Sequence, residues 1–190
     1  MGIEFRNLRE NEIKVRVAEV KPNYITLFTY VDASTVQDIL DEAVTPTGWM
    51  RKHSNDNKNC TISIYDSEKN CWVEKEDVGT ESRDDGKGNE AKGLATDSFK
   101  RSAKNWGIAR ELSTMPRLWF KPDGLANVNN GKCYDEFYVE QVMYRGKTIV
   151  AISIINKNKG KRVVTIDLRT AKEKEAGASS KTNTVADAID

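Results

Sequence analysis

Residues 90–107 read EAKGLATDSFKRSAKNWG, and the fold of the chain turns on that stretch. At roughly 100° per residue, Ala91, Ala95, Ser98, Phe99, Ser102, Ala103 and Trp106 share one face of a helix, and Asp97, Lys100, Arg101 and Lys104 share the other. The first set is small with two aromatics, which suits a helix lying on a sheet. Gly107 is a natural stop, because glycine takes the left-handed conformation that ends helices without a Cβ penalty. The second set offers three cations within about one and a half turns. Long flexible cations on a rigid scaffold are what a phosphate backbone requires, since neutralising it releases counterions. The alternative is a solvated face with an Asp97–Arg101 pair at i, i+4, and spacing by itself leaves both open.

Working outward, residues 12–20 alternate, with Ile13, Val15 and Val17 against Lys14, Arg16 and Ala18, and predict a half-buried strand. Residues 24–31 are aromatic and β-branched on both faces and predict a more buried one. Tyr24, Phe28 and Tyr30 fall on one side of it and read as core, with base-stacking platforms as the alternative. Ser34 and Gln37 form a capping box before Val36, Ile39, Leu40 and Ala43 at helical spacing, and Pro46 stops that helix. Three short strands near 49–53, 60–66 and 71–79 form an antiparallel meander, and 82–90 is a polar loop. Beyond Pro116 and the turn at 122–124 come two or three more strands, with tight turns at Arg145-Gly146 and 158–160. From Ala171 onward there is almost nothing to bury. The expected architecture is α+β: an antiparallel ββαβββα sheet packed on the long helix, with a C-terminal β-hairpin region. Residues 1–168 form one domain and 169–190 a disordered tail.

The composition, 38% hydrophobic and 31% charged, is that of a globular chain. No apolar run is long enough to cross a bilayer and residues 1–10 are no signal peptide, so no membrane partner and a cytoplasmic location are expected. Cys60, Cys71 and Cys133 are odd in number, lack metal-ligand spacing and read as reduced thiols. Net charge is only +1, but its distribution is uneven. Residues 66–90 hold nine acidic against four basic residues, 91–121 seven basic against two acidic, and 145–169 seven basic against Asp167 alone. Such segregation can present a basic groove to phosphates or pair faces between subunits, and solvated faces are the bland alternative.

Two blocks of sequence carry a resemblance. Asp77-Val78-Gly79-Thr80-Glu81-Ser82 is followed, after a gap, by Ala95-Thr96-Asp97-Ser98-Phe99-Lys100-Arg101-Ser102-Ala103-Lys104-Asn105-Trp106-Gly107-Ile108-Ala109-Arg110. Upstream, Tyr30-Val31-Asp32 precedes a helix and then Gly48-Trp49. Together they resemble the signature of the Rad-fifty-two/Rad-twenty-two family of single-strand DNA annealing proteins, their phage-encoded branch in particular, over residues 24–112. The resemblance implies ATP-independent binding and annealing of single-stranded DNA in recombination and break repair. It further implies a homo-oligomeric ring and a partner nuclease or host single-strand-binding protein, with no cofactor and no catalytic role. It places inner-groove DNA contacts on Lys100, Arg101, Lys104 and Tyr30, and a second DNA surface on Lys87 and Lys92. Lys21 is the nearest counterpart of an upstream arginine, and Arg110 closes the signature. The gap is shorter here than in eukaryotic members, and Ser102 stands where alanine is usual.

Other chemistry finds little support. His53 is the only histidine and has no Cys or carboxylate at ligand spacing, so it reads as a strand residue rather than a metal ligand or catalytic base. The carboxylates of 66–85 are irregularly spaced for a nuclease metal site. Gly86-Lys87-Gly88 lacks the remainder of a P-loop. Residues 156–162 form a hairpin tip with four cations, equally a solubilising turn or a phosphate contact. The acidic chain end, Asp187 and Asp190, reads as solubilising, with weak competition for a basic groove as the alternative. Set against the annealer is a passive single-strand binder or interaction module. An annealer must keep bases exposed, so its groove should be basic and poor in stacking aromatics, and the helix face carries no aromatic.

Overall fold

The computed structural model describes residues 2–80 and 90–174. Lys87 and the Gly86-Lys87-Gly88 stretch, like the chain end with Asp187 and Asp190, lie outside the described residues. In chain order the elements are β1 (Lys14–Lys21), β2 (Tyr24–Tyr30), α1 (Ala33–Val44), β3 (Trp49–Ser54), β4 (Asn59–Asp66), β5 (Cys71–Val78) and α2 (Glu90–Trp106). A 3-10 turn (Arg110–Thr114) leads into β6 (Leu118–Phe120), the two-residue strands β7 (Val128–Asn129) and β8 (Lys132–Cys133), then β9 (Phe137–Arg145), β10 (Thr148–Asn156) and β11 (Lys161–Asp167). The fold is α+β with antiparallel sheets.

The strands do not form one sheet with a hairpin appended. β1 and β2 belong to a six-stranded sheet ordered β11-β10-β9-β1-β2-β6, while β3-β4-β5 make a separate sheet. The reason lies in β10, where Ile149, Val150, Ile152 and Ile154 are all buried. A strand apolar on both faces needs neighbours and cover on each side, which an exposed hairpin lacks. β9 therefore docks on β1, with Lys14 opposite Tyr138 and Val15 opposite Phe137. Register breaks in β1, β9 and β10 add twist, and the edge strands β6 and β11 come into contact as the sheet curls.

α1 starts at Ala33 with Asp32 as its N-cap, a turn residue earlier than a Ser34 capping box allows. Burial of Thr35, Val36, Ile39 and Leu40 sets its phase, leaving Ala43 exposed and Val44 against the core. It ends at Thr45, which has φ +66 and precedes Pro46. On β2 the inward side chains are Ile25, Leu27 and Thr29. Tyr24, Phe28 and Tyr30 are therefore not core: they lie on the outer face, and Phe28 is 50% exposed. A period-two strand has only one buried side when a single layer packs on it, and Ile25, Leu27 and Thr29 took that side. Within the expected tail, residues 171–174 form a helical turn, and Glu173 makes two bonds of 2.7 Å to the Arg145 guanidinium.

Candidate nucleic-acid interface

α2 is held from below by the second sheet. Ser98, Phe99, Ser102 and Ala103 are fully buried there. Ser102 Oγ donates to the Lys75 carbonyl at 2.8 Å and Trp106 Nε1 to the Ile62 carbonyl at 3.2 Å. Phe99 stacks on Trp49 with ring centroids 6.2 Å apart. A serine at 102 is thus no weaker than alanine, since its buried hydroxyl finds an acceptor. The helix ends as its sequence predicts. Gly107, at φ +102, donates to the Lys104 carbonyl at 3.0 Å and Ile108 to the Ala103 carbonyl at 3.2 Å, the paired bonds of a Schellman motif.

Most of the signature is explained by this packing. A Cβ on Gly79 would lie 2.8 Å from the Leu94 carbonyl oxygen and 2.9 Å from the Ser98 nitrogen, so β5 touches the backbone of α2 there. Asp97 accepts from the Thr80 amide at 2.8 Å and its hydroxyl at 3.1 Å. Asp77 takes Arg101 at 3.4 Å and the Asn105 side chain at 3.1 Å. The Asp97–Arg101 pair of the alternative reading is therefore not formed, because Asp97 is drawn to Thr80 and Arg101 to Asp77. A Cβ on Gly48 would stand 1.8 Å from the Val44 carbonyl, and Trp49 Nε1 donates to Asp41 at 2.6 Å.

What packing leaves unexplained is the upper face of α2. It looks across a cleft of about 620 Å³ at the outer face of β2. Lys100, Arg101 and Lys104 of α2 line it across from Phe28 and Tyr30 of β2, and Ile108, Leu112, Met115 and Arg117 add to the lining. Lys100 Nζ lies 5.9 Å from the Tyr30 ring centroid. Among the described residues Lys100 and Lys104 form no ion pair, and Asp97, turned to Thr80, is the one carboxylate lining the cleft.

The structure thus brings Lys100, Arg101, Lys104 and Tyr30 together and leaves the other candidates elsewhere. Lys21 pairs with Glu19 at 3.0 Å on the β1–β2 hairpin. Lys92 is exposed on the first turns of α2, outside the cleft lining. Arg110 folds back to cap α2, donating to the Lys104 carbonyl at 2.9 Å and the Asn105 carbonyl at 3.0 Å. At the hairpin tip, Lys157 pairs with Glu136, Arg162 with Glu140, and Lys161 reaches the Gly124 carbonyl.

Four residues that sequence reasoning missed adjoin the cleft. Arg117 stands 5.6 Å from the Tyr24 ring centroid and Arg16 5.1 Å from that of Phe28. Lys14 lies opposite Tyr30, and Trp119, 55% exposed, lies opposite Thr26. The alternation of Arg117 and Trp119 against buried Leu118 and Phe120 was a usable signal, but a three-residue strand is too short to announce itself. His53 is half-buried beside Ser98, and burial, then Arg51, lower its imidazole below the usual range. Burial pushes the Cys60 thiol up to about 11, which leaves it inert. Among the described residues no group of His, Cys, Asp and Glu could hold a metal ion, and no helix is long and apolar enough to cross a membrane. Comparisons with protein-family models, with curated proteins and with solved structures found no match.

Proposed function

We propose that the protein binds single-stranded DNA in the cleft between α2 and β2 and anneals complementary strands without ATP. The observation that carries this reading is the pair Lys100 and Lys104. Both stand on a helix fixed from below, neither is neutralised by a described neighbour, and both face a cleft whose lining holds Arg101 and Arg117 and a single carboxylate. A backbone of phosphates is the polyanion such a row of cations suits, and phosphate contacts position a strand without reading its sequence. The resemblance to Rad-fifty-two-type proteins adds annealing, a homo-oligomeric ring, a role in recombination and break repair, and a nuclease or single-strand-binding protein as partner. The test mixes purified protein with two complementary labelled oligonucleotides, without nucleotide, and follows pairing by fluorescence transfer. Faster pairing than in buffer is expected; strand binding with no acceleration sinks annealing and leaves binding. Mass measurement at low protein concentration tests the ring, and a stable monomer that anneals removes it.

One observation favours a second reading, a passive single-strand binder. The wall opposite the cations is aromatic, with Phe28 half exposed and Trp119 beyond it. A strand held by its bases is protected rather than offered for pairing. The same mixing experiment separates the two.

A further inference from the structure

The outer face of the six-stranded sheet carries a pattern that the phosphate grip does not use. Aromatic side chains are costly to leave in water, and this face leaves Phe28 at 50%, Trp119 at 55% and Tyr138 at 46% exposure. Strand pairing fixes their placement. Thr26 is opposite Trp119, Arg16 opposite Phe28, and Lys14 opposite both Tyr30 and Tyr138, so all of them project from one face. The cations of β1 therefore stand between rings on β9 and β2, with Arg16 over Phe28, while Trp119 on β6 extends the aromatic row and Glu19, opposite Thr26, is paired with Lys21. An apolar partner protein would meet buried charge on such a face. A polyanion without rings would leave the aromatics unused. Unpaired nucleotides have both a charged backbone and a π-face, and they match both halves of the pattern.

We infer that Phe28 and Trp119 are stacking positions for unpaired nucleobases of the strand whose phosphates lie along Lys100, Lys104 and Arg117, an inference that rests on the single-strand binding proposed above and, because it holds bases, sides with the passive binder over the annealer. Leu27 pairs with Leu118 and Thr26 with Trp119, so Trp119 is the diagonal neighbour of Phe28 across β2 and β6. Diagonal neighbours stand about 7–8 Å apart. That is roughly twice the 3.4 Å step of one strand in a stacked duplex. Successive bases seated on the two rings are therefore pulled off one another, and the bound strand is stretched. The Arg16 guanidinium, already over the Phe28 ring at 5.1 Å, lies where it can close on the far side of a seated base or turn to its phosphate.

The experiment compares an oligothymidine with an abasic deoxyribose-phosphate strand of the same length, for the wild type, Phe28→Leu and Trp119→Leu. Both positions are solvent-exposed, so the variants keep the core intact. The wild type is expected to prefer the base-bearing strand, and each variant to cut that preference roughly 5–150-fold, the worth of one stacked base. The salt slope, which counts phosphates, should stay the same. Quenching of the Trp119 share of the fluorescence should accompany oligothymidine and be weak with the abasic strand. Equal affinity of the wild type for the two strands, or an unchanged preference in both variants, overturns stacking while leaving phosphate binding in place. If the wild type binds neither strand, the single-strand reading fails, and stacking with it.

Discussion

Lys100 and Arg101 are adjacent on α2, yet the structure predicts different consequences for losing them. Lys100 and Lys104 are not ion-paired with any described residue, whereas Arg101 lies 3.4 Å from Asp77 and is half exposed. Each lysine that contacts a phosphate of a single strand contributes about 0.7 to the log–log salt slope. The double change Lys100→Ala/Lys104→Ala should flatten that slope by about 1.4. Between 50 and 200 mM salt, a fourfold interval, the wild type's advantage over the double variant should then shrink about 7-fold. Arg101→Ala removes one cation but frees the Asp77 carboxylate nearby, so the net local charge seen by the strand changes by one while a partly used donor is lost. Its slope change should be smaller than that of either lysine, and as an exposed pair it should cost the fold only about 0.2–1 kcal/mol. The assay is fluorescence anisotropy of a labelled oligonucleotide at four or more salt concentrations, with circular dichroism as a folding control. A double-lysine variant with the wild-type slope refutes the placement of the backbone on this face. Arg101→Ala with the larger slope change shows that the Asp77 pair opens on binding.

Gly79→Ala should destabilise the fold by about 1–3 kcal/mol, because its Cβ would meet the α2 backbone at 2.8 and 2.9 Å, and neither atom can swing aside; an unchanged urea midpoint counts against the close approach. Glu111 is fully buried, accepts the Leu8 amide at 2.8 Å through Oε1, and has no partner for Oε2 among the described residues. Glu111→Gln keeps the acceptor, whereas Glu111→Ala strands the amide and should cost about 1–3 kcal/mol more, measured by thermal or denaturant unfolding. Glu173 is held at about 2 by its bonds from Arg145, with the Thr170 amide and hydroxyl adding to them. Its folded value lies below the unfolded one, near 4.3, so the clip between 171–174 and β9 is fully present above about 4.3 and is lost as pH falls through about 2. Carboxyl titration followed by NMR should show the low midpoint, and Arg145→Ala should return it to the ordinary range; an identical midpoint in both proteins argues against the clip.

The sequence by itself determined what depends on near neighbours in the chain. Hydrophobic period and turn residues placed β1 to β5 and both long helices within a residue or two, since a strand's alternation and a helix's stripe are local signals. The small face of α2, its Gly107 stop and the cationic row Lys100, Arg101, Lys104 were legible for the same reason. Tertiary structure decided the rest. That β9 to β11 join β1 and β2 rather than stand apart depends on what covers β10, and no pattern inside a strand names its neighbour. That Phe28 faces solvent while Ile25 and Leu27 face the core depends on which of two apolar sides finds a layer to pack on. Arg117 lines the cleft, and Arg16 and Trp119 stand beside its β2 wall, only because β1 and β6 flank β2 in register. Arg110 and Lys21 stood beside Lys100 among the candidate cations in sequence, but one caps α2 and the other pairs with Glu19. A cation's availability is set by the carbonyls and carboxylates that folding brings within reach, and those lie outside any window a sequence pattern can see.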